Sequence, residues 1–341
     1  MNTMRQATKS VRLIIVLSLI ATHAAAKWEA LPSSAPSPAD NPTTAEKVEL
    51  GKMLFFDPRL SATGTVSCFS CHNVMEADDD HRSVFIGVHG QTGGRNAPTV
   101  WNAAFLSSQF WDGRAATLEE QAVGPVTNPI EMGMDSLDDA LARIRAIPDY
   151  KQYFNEAFGA GDNVTMDNAA KAIAAYERTL ITPNSPYDQY AIGDKDALSA
   201  QAIRGTRTFE STGCLSCHSG PAMPAGAEFF VKFPTFAGNG DLDKFGLLAD
   251  TGRFEATGNE ADKNIWRVPT LRNLEFTAPY FHNGAIKSLD EAVTVMAQAQ
   301  LDQNLDHEQV SDIVAFLESL TGDFSTQTMP RLPPTPGDLL D

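Results

Sequence analysis

All four cysteines of the chain fall in two copies of one pattern, Cys68-Phe-Ser-Cys71-His72 and Cys214-Leu-Ser-Cys217-His218. In each copy the two thiols stand three residues apart, on one face of a helical turn. That spacing lets both form thioethers with the vinyl groups of a single porphyrin, the attachment pattern of a c-type haem. The histidine after the second thiol then reaches the iron as its proximal ligand. A zinc site uses the same residue types, but it gives no reason for a histidine to follow the second cysteine in both copies. A chain with two such motifs must fold so as to wall two flat macrocycles.

With 341 residues and 43% hydrophobic content, the chain can fill two ordinary cores. Residues 1–26 stand apart from them. Arg5, Lys9 and Arg12 form a basic start, an apolar run follows from Leu13 to Ala21, and Ala24-Ala25-Ala26 supplies small residues for cleavage. This is the pattern of a secretory signal peptide, short for a membrane span; an uncleaved anchor is the alternative use of the segment. The expectation is a soluble chain exported to the periplasm, with its thiols consumed by haem and no disulfides. Net charge is −17, and loss of the three leader cations takes it to about −20. Such a surface repels nucleic acid. It suits a basic or dipolar redox partner, although solubility alone explains it equally well.

The chain also repeats itself loosely. Gly51 and Phe55, the first motif, Ala97-Pro98-Thr99-Val100-Trp101-Asn102, Phe110-Trp111-Asp112-Gly113 and Leu118-Glu119-Glu120 make up one copy. Gly205 and Phe209, the second motif, Val268-Pro269-Thr270-Leu271-Arg272-Asn273, Phe281-His282-Asn283-Gly284 and Leu289-Asp290-Glu291 echo them. Thirteen positions separate Pro98 from Trp111, and Pro269 from His282. Helical periodicity runs over 44–55, 167–180, 197–209, 288–299 and 306–320, with Asp167 and Ser288 as candidate N-caps. The fold expected is mainly α: two cytochrome c-like haem domains packed together, with irregular loops. Their spans are 27–190 and 191–320, between the signal peptide at 1–26 and a Pro-rich tail at 321–341. Thr182-Pro183-Asn184-Ser185-Pro186 marks the hinge, and 224–258 reads as irregular loop around the second haem.

The other axial face decides what each iron does. A second strong ligand makes an electron carrier, and an open or labile face makes a catalyst. Met296 lies fourteen residues after His282, on the helix that starts near Ser288. A thioether there stabilises Fe(II) and raises the potential. The same step from Trp111 arrives at Pro125, which offers no side-chain ligand. The repeat therefore predicts a His218/Met296 electron-transfer haem and a His72 haem without a methionine over it. A core methionine on an amphipathic helix is the plain alternative for Met296.

Several runs resemble the bacterial diheme cytochrome c peroxidases and their MauG-type relatives, over about 49–320. They are Leu54-Phe55-Phe56-Asp57-Pro58-Arg59-Leu60-Ser61, Arg95-Asn96-Ala97-Pro98-Thr99, Phe110-Trp111-Asp112-Gly113-Arg114, Glu119-Glu120-Gln121-Ala122, Asn128-Pro129-Ile130-Glu131-Met132-Gly133, Val268-Pro269-Thr270-Leu271-Arg272-Asn273 and Ala278-Pro279-Tyr280-Phe281-His282-Asn283-Gly284. The resemblance implies a peroxidase that reduces hydrogen peroxide to water with electrons from a small cytochrome c or cupredoxin, often as a homodimer. It implies that Met296 is the distal ligand of a high-potential C-terminal haem and Trp111 an electron relay. Glu131 is implied as the catalytic carboxylate of the N-terminal peroxidatic haem, with Gln121 as its amide neighbour. An interdomain calcium ion on Asn96, Thr277 and Pro279 is implied too, with His282 in a structural or electron-transfer supporting role. These types suit peroxide cleavage, in which a proton must move from the iron-bound oxygen to the leaving one. Taken singly, a glutamate before Met-Gly is an ordinary loop residue and a tryptophan an ordinary core residue.

One departure stands out. Many members of that family carry a histidine directly after Ile-Gly that caps the peroxidatic iron. Here Ile86-Gly87 is followed by Val88, and His89 comes one place later. Either the loop shifts and His89 ligates, or the iron is permanently five-coordinate. The second is favoured, because one residue reverses a side chain's direction in an extended loop. His81, in an acidic run, and His307, on a helix, read as solvent-facing. Two further functions compete with the peroxidase: a MauG-type oxidase that modifies a protein residue, and a diheme electron carrier without catalysis. The MauG class carries tyrosine where this chain has Met296, and Gln121 with Glu131 argue against a mere carrier.

Overall fold

The computed structural model describes residues 29–76, 80–222, 230–236 and 242–337; the leader expected at 1–26 lies outside them. The architecture is mainly helical. The first half holds α1 (Ala45–Phe56), α2 (Cys68–Cys71), α3 (Leu118–Thr127), α4 (Leu137–Arg145), α5 (Pro148–Phe158), α6 (Met166–Glu177) and α7 (Pro186–Ile192). The second holds α8 (Ala200–Ser211), α9 (Phe254–Thr257), α10 (Leu289–Leu301) and α11 (His307–Glu318). Strands β1 (Phe230–Lys232) and β2 (Ile265–Arg267) pair antiparallel, with Val231 opposite Trp266.

Caps set the helix starts. Thr44, Ser288 and Asp306 accept from the backbone N–H three residues on, as good N-caps do. Asp167 is not a cap. Thr165 accepts from Asn168 N–H and caps α6 two residues earlier. Asp167 pairs instead with Lys171 at 2.8 Å, one helical turn along.

The echo of Gly51/Phe55 in Gly205/Phe209 is the same helix crossing built twice. A Cβ on Gly51 would lie 1.8 Å from the Ala172 carbonyl oxygen, and one on Gly205 would lie 1.9 Å from that of Asp312. Only glycine lets α1 approach α6, and α8 approach α11, this closely. Beside each crossing an aromatic pair closes edge-on: Phe55 with Tyr176 at 5.4 Å, and Phe209 with Phe316 at 5.2 Å. One core forms around Leu50, Leu54, Tyr150 and Ile173, another around Leu198, Phe209, Ile313 and Phe316. Tyr187 packs with the second, so the body of α7 leans on the C-terminal half.

The halves meet at a shared hydroxyl. Asn102 and its counterpart Asn273, both buried with left-handed backbones, donate to the same hydroxyl, Thr182 Oγ1, at 2.8 and 3.0 Å. Chain ends cross over the junction. Leu31 N–H donates to Asp188 Oδ1 at 2.9 Å, while the Pro-rich tail returns to the first half, where Arg59 donates to Pro333 O at 2.9 Å and Phe324 meets Trp101 edge-on. Asp188 in turn grips the fully buried Arg272 through two bonds of 2.8 and 2.9 Å, a bidentate pair that fixes orientation.

Candidate haem sites

A cavity of about 40 Å³ lies in the first half, with Cys68, Cys71 and His72 in its wall. His72 follows α2, its N–H on the Cys68 carbonyl at 3.0 Å. Its ring is hydrogen-bonded to the Pro98 carbonyl, and burial lowers its pKa to about 4. The imidazole is thus neutral, the state in which it can ligate a metal.

The rest of this wall comes from α3, from the turn after it and from α6. Gln121 and Pro125 lie on α3, Glu131 and Met132 in the turn, and Glu177 on α6. Backbone bonds from Gly133 to Asn128 (2.9 Å) and from Met134 to Val126 (2.9 Å) hold the turn. Asn128 Nδ2 donates to Glu131 Oε1 at 2.7 Å. Burial raises the Glu131 pKa, opposed by the Arg114 charge and the Asn128 bond. A carboxyl in that state can both hold and release a proton.

His89 does not join this cavity. It is exposed, with a left-handed backbone at φ 58°, whereas Val88 is buried at 1% exposure. The reason is local: Val88 N–H is held by Glu131 O at 2.9 Å, and its side chain fills the space above Gly133. Val88 therefore takes the inward direction, and the next side chain turns out to solvent. A methionine does reach the first wall. Met132, buried in the first core, lies seven residues beyond Pro125, so the repeat does not pair it with Met296.

The second cavity, about 230 Å³, is wider and mostly apolar. Cys214, Cys217 and His218 line it together with Met296 from α10. Trp111 and His282, from opposite halves, also line it. Trp111 Nε1 donates to Asn96 O at 2.9 Å and meets His282 edge-on at 6.5 Å. His282 stacks on Trp266 at 4.1 Å, and Arg95 lies over Trp266. Burial lowers the His282 pKa to about 4, so this ring too is neutral. Asn96, Thr277 and Pro279 share the same wall, on both sides of the junction.

Residues 45–196 match the family described as di-haem cytochrome c peroxidase. The chain is 44% identical over 303 residues to the cytochrome c551 peroxidase of Nitrosomonas europaea, covering 89% of this chain and 88% of that one. The chain belongs to the di-haem cytochrome c peroxidase family. More distant is the methylamine utilization protein MauG of Methylorubrum extorquens, at 36% identity over 89% of this chain and 86% of that protein. Among solved structures, a MauG-like protein associated with microbial copper homeostasis matches with a TM-score of 0.74 and 31% identity, over 86% of this chain and 95% of that one.

This peroxidase therefore binds two haems, and the two cavities are where its cysteine motifs would hold them. The fit is chemical. Each cavity joins a thiol pair to a following histidine and has a methionine in its wall, Met132 in the first and Met296 in the second. Two further wall residues escaped sequence reasoning. Glu177 is buried at 3% exposure, and burial pushes its pKa up to about 8, so it is protonated at neutral pH. No motif surrounds it. The other, Arg267, is the counterpart of Asn96 in the repeat, and carrying the repeat two residues back from Pro98 and Pro269 would have found it.

Proposed function

We propose that this peroxidase is exported to the periplasm and reduces hydrogen peroxide to water at the first centre, drawing electrons through the second from a small cytochrome c or cupredoxin. The observation that carries the reading is the contrast between the cavities: carboxyls, Glu131 among them, stand in the first wall, and the second wall, which receives Met296 from α10, holds none among the described residues. Attached through Cys68/Cys71 and Cys214/Cys217 and ligated by His72 and His218, the haems supply redox-active iron. The balance is one peroxide, two electrons and two protons to two waters.

Glu131 moves the proton. It would take a proton from one peroxide oxygen and return it to the other, as base and then acid. Gln121 orients the peroxide or a water beside it. Trp111 bridges the centres, its indole fixed by Asn96 O within the second wall. Met296 would hold the second iron through its thioether sulfur, a ligand that favours the reduced state and raises the potential. A calcium ion on Asn96, Thr277 and Pro279 completes the reading. Among the described residues no group of three or more His, Cys, Asp or Glu is placed to hold a metal ion. Calcium would therefore rest on amide and carbonyl oxygens, which suit a hard cation. Asn96 Nδ2 donates to Arg82 O at 3.0 Å, a bond that fixes the amide's orientation.

The test is stopped-flow addition of peroxide to protein with only one haem reduced, followed by steady-state oxidation of reduced small cytochromes and cupredoxins. Fast peroxide consumption with donor turnover is expected. Two haems inert to peroxide at every oxidation level would overturn the reading and leave an electron carrier.

A further inference from the structure

The repeat pairs each residue of 96–118 with one 171 positions later. At one pair the halves exchange equivalent main-chain bonds. Asn96 N–H donates to His282 O at 2.7 Å, and Arg267 N–H donates to Trp111 O at 3.0 Å. Where the first half offers a neutral amide, the second places a guanidinium.

Arg267 is 5% exposed, lines the second cavity and meets no carboxylate. Its Nε donates to Phe110 O at 2.9 Å and its Nη1 to Val268 O at 3.2 Å. Among the described residues Nη2 has no protein acceptor. The neighbouring carboxylates are taken. Arg95 grips Asp250 at 2.7 and 2.9 Å and Asp112 at 2.5 Å, and Arg114 adds a bond of 2.9 Å to Asp112. Arg253, in the same corner, bonds the carbonyls of Asp112 and Gly113. Four guanidiniums thus face two carboxylates, in a chain whose net charge is −17. A buried cation held by carbonyls alone is costly, and the surplus points to an anion that completes the site. Burial lowers the Arg267 pKa to about 10, which leaves it charged at neutral pH.

We infer that Arg267 anchors a carboxylate of the porphyrin in the second cavity and that its charge raises the potential of that centre. The inference rests on the haem reading above. Arginine suits the task because its planar fork can hold two protein carbonyls and still present a donor edge to a carboxylate. A fixed positive charge close to the metal favours electron arrival.

The experiment is spectroelectrochemical titration of holoprotein carrying Arg267→Gln, Arg267→Lys or, as a control outside the cavity wall, Arg253→Gln. Mass spectrometry first establishes haem on Cys214 and Cys217. R267Q is expected to raise the ferric-to-ferrous ratio of the second haem at least tenfold at fixed potential, a 59 mV fall for a one-electron couple. R267K should recover most of it, and R253Q should shift it little. Wild-type protein without haem on Cys214 and Cys217 would overturn the haem reading itself. Haem on both cysteines with an unmoved potential in R267Q, or an equal fall in R253Q, would overturn the Arg267 inference alone.

Discussion

Replacing Glu131 with glutamine removes a proton-carrying group and almost nothing else. The amide keeps the length of the side chain, and its oxygen can still accept from Asn128 Nδ2, which sits 2.7 Å from Glu131 Oε1. The bond from Val88 N–H uses the residue's main-chain carbonyl and survives. The turn should stay in place, so the loss reports chemistry. General acid–base catalysis contributes about 10²- to 10⁴-fold, or roughly 3 to 5 kcal/mol of barrier. The assay is single-turnover peroxide cleavage by stopped flow, on protein whose absorption spectrum shows both haems bound. The pH profile adds a second readout. The proton-accepting form is the carboxylate, and burial raises the pKa of Glu131. On acidification the wild-type rate should therefore fall at a higher pH than an ordinary carboxylate would dictate, and E131Q should lack this limb. Glu177→Gln is the control in the same cavity. Glu177 is already neutral at pH 7, with a pKa of about 8, so its amide should change the rate less than tenfold. A near-normal rate in E131Q, or an intact acid limb, would refute acid–base catalysis at this residue.

Met296→Leu should lower the potential of the second haem and abolish donor-driven turnover, and unchanged optical and redox behaviour would dismiss Met296 as a ligand. His89→Ala and Met132→Leu should each leave the EPR spectrum of the oxidised protein unchanged, with one haem high-spin; loss of a low-spin signal in either would identify that residue as a ligand. Gly51→Ala should destabilise the first half by about 1–3 kcal/mol through overpacking. Alanine otherwise gains about 1 kcal/mol over glycine inside a helix, so an unshifted denaturation midpoint would show that the Ala172 carbonyl yields.

What could be read along the chain was whatever chemistry is local. Two thiols and a histidine within five residues make the pattern of a haem attachment wherever they fold, because the porphyrin itself sets such a spacing. Helix starts were legible at Thr44, Ser288 and Asp306 for the same reason, since a cap bonds three residues on. The two-domain helical plan followed from the repeat, and Gly51 and Gly205 mark crossings that any close helix pair would need.

Tertiary packing decided the rest. His89 faces solvent because Val88 is pinned by Glu131 O, a partner 43 positions away. Met132 and Glu177 enter the first wall because α3, its turn and α6 converge there, and no spacing rule connects them to Cys68. Trp111 belongs by sequence to the first half and by contact to the second cavity, and Arg267 turned out to be a cation with no carboxylate of its own. A side chain's direction, charge state and neighbours depend on which distant segments exclude water from it, and that exclusion exists only once the two halves have closed on each other.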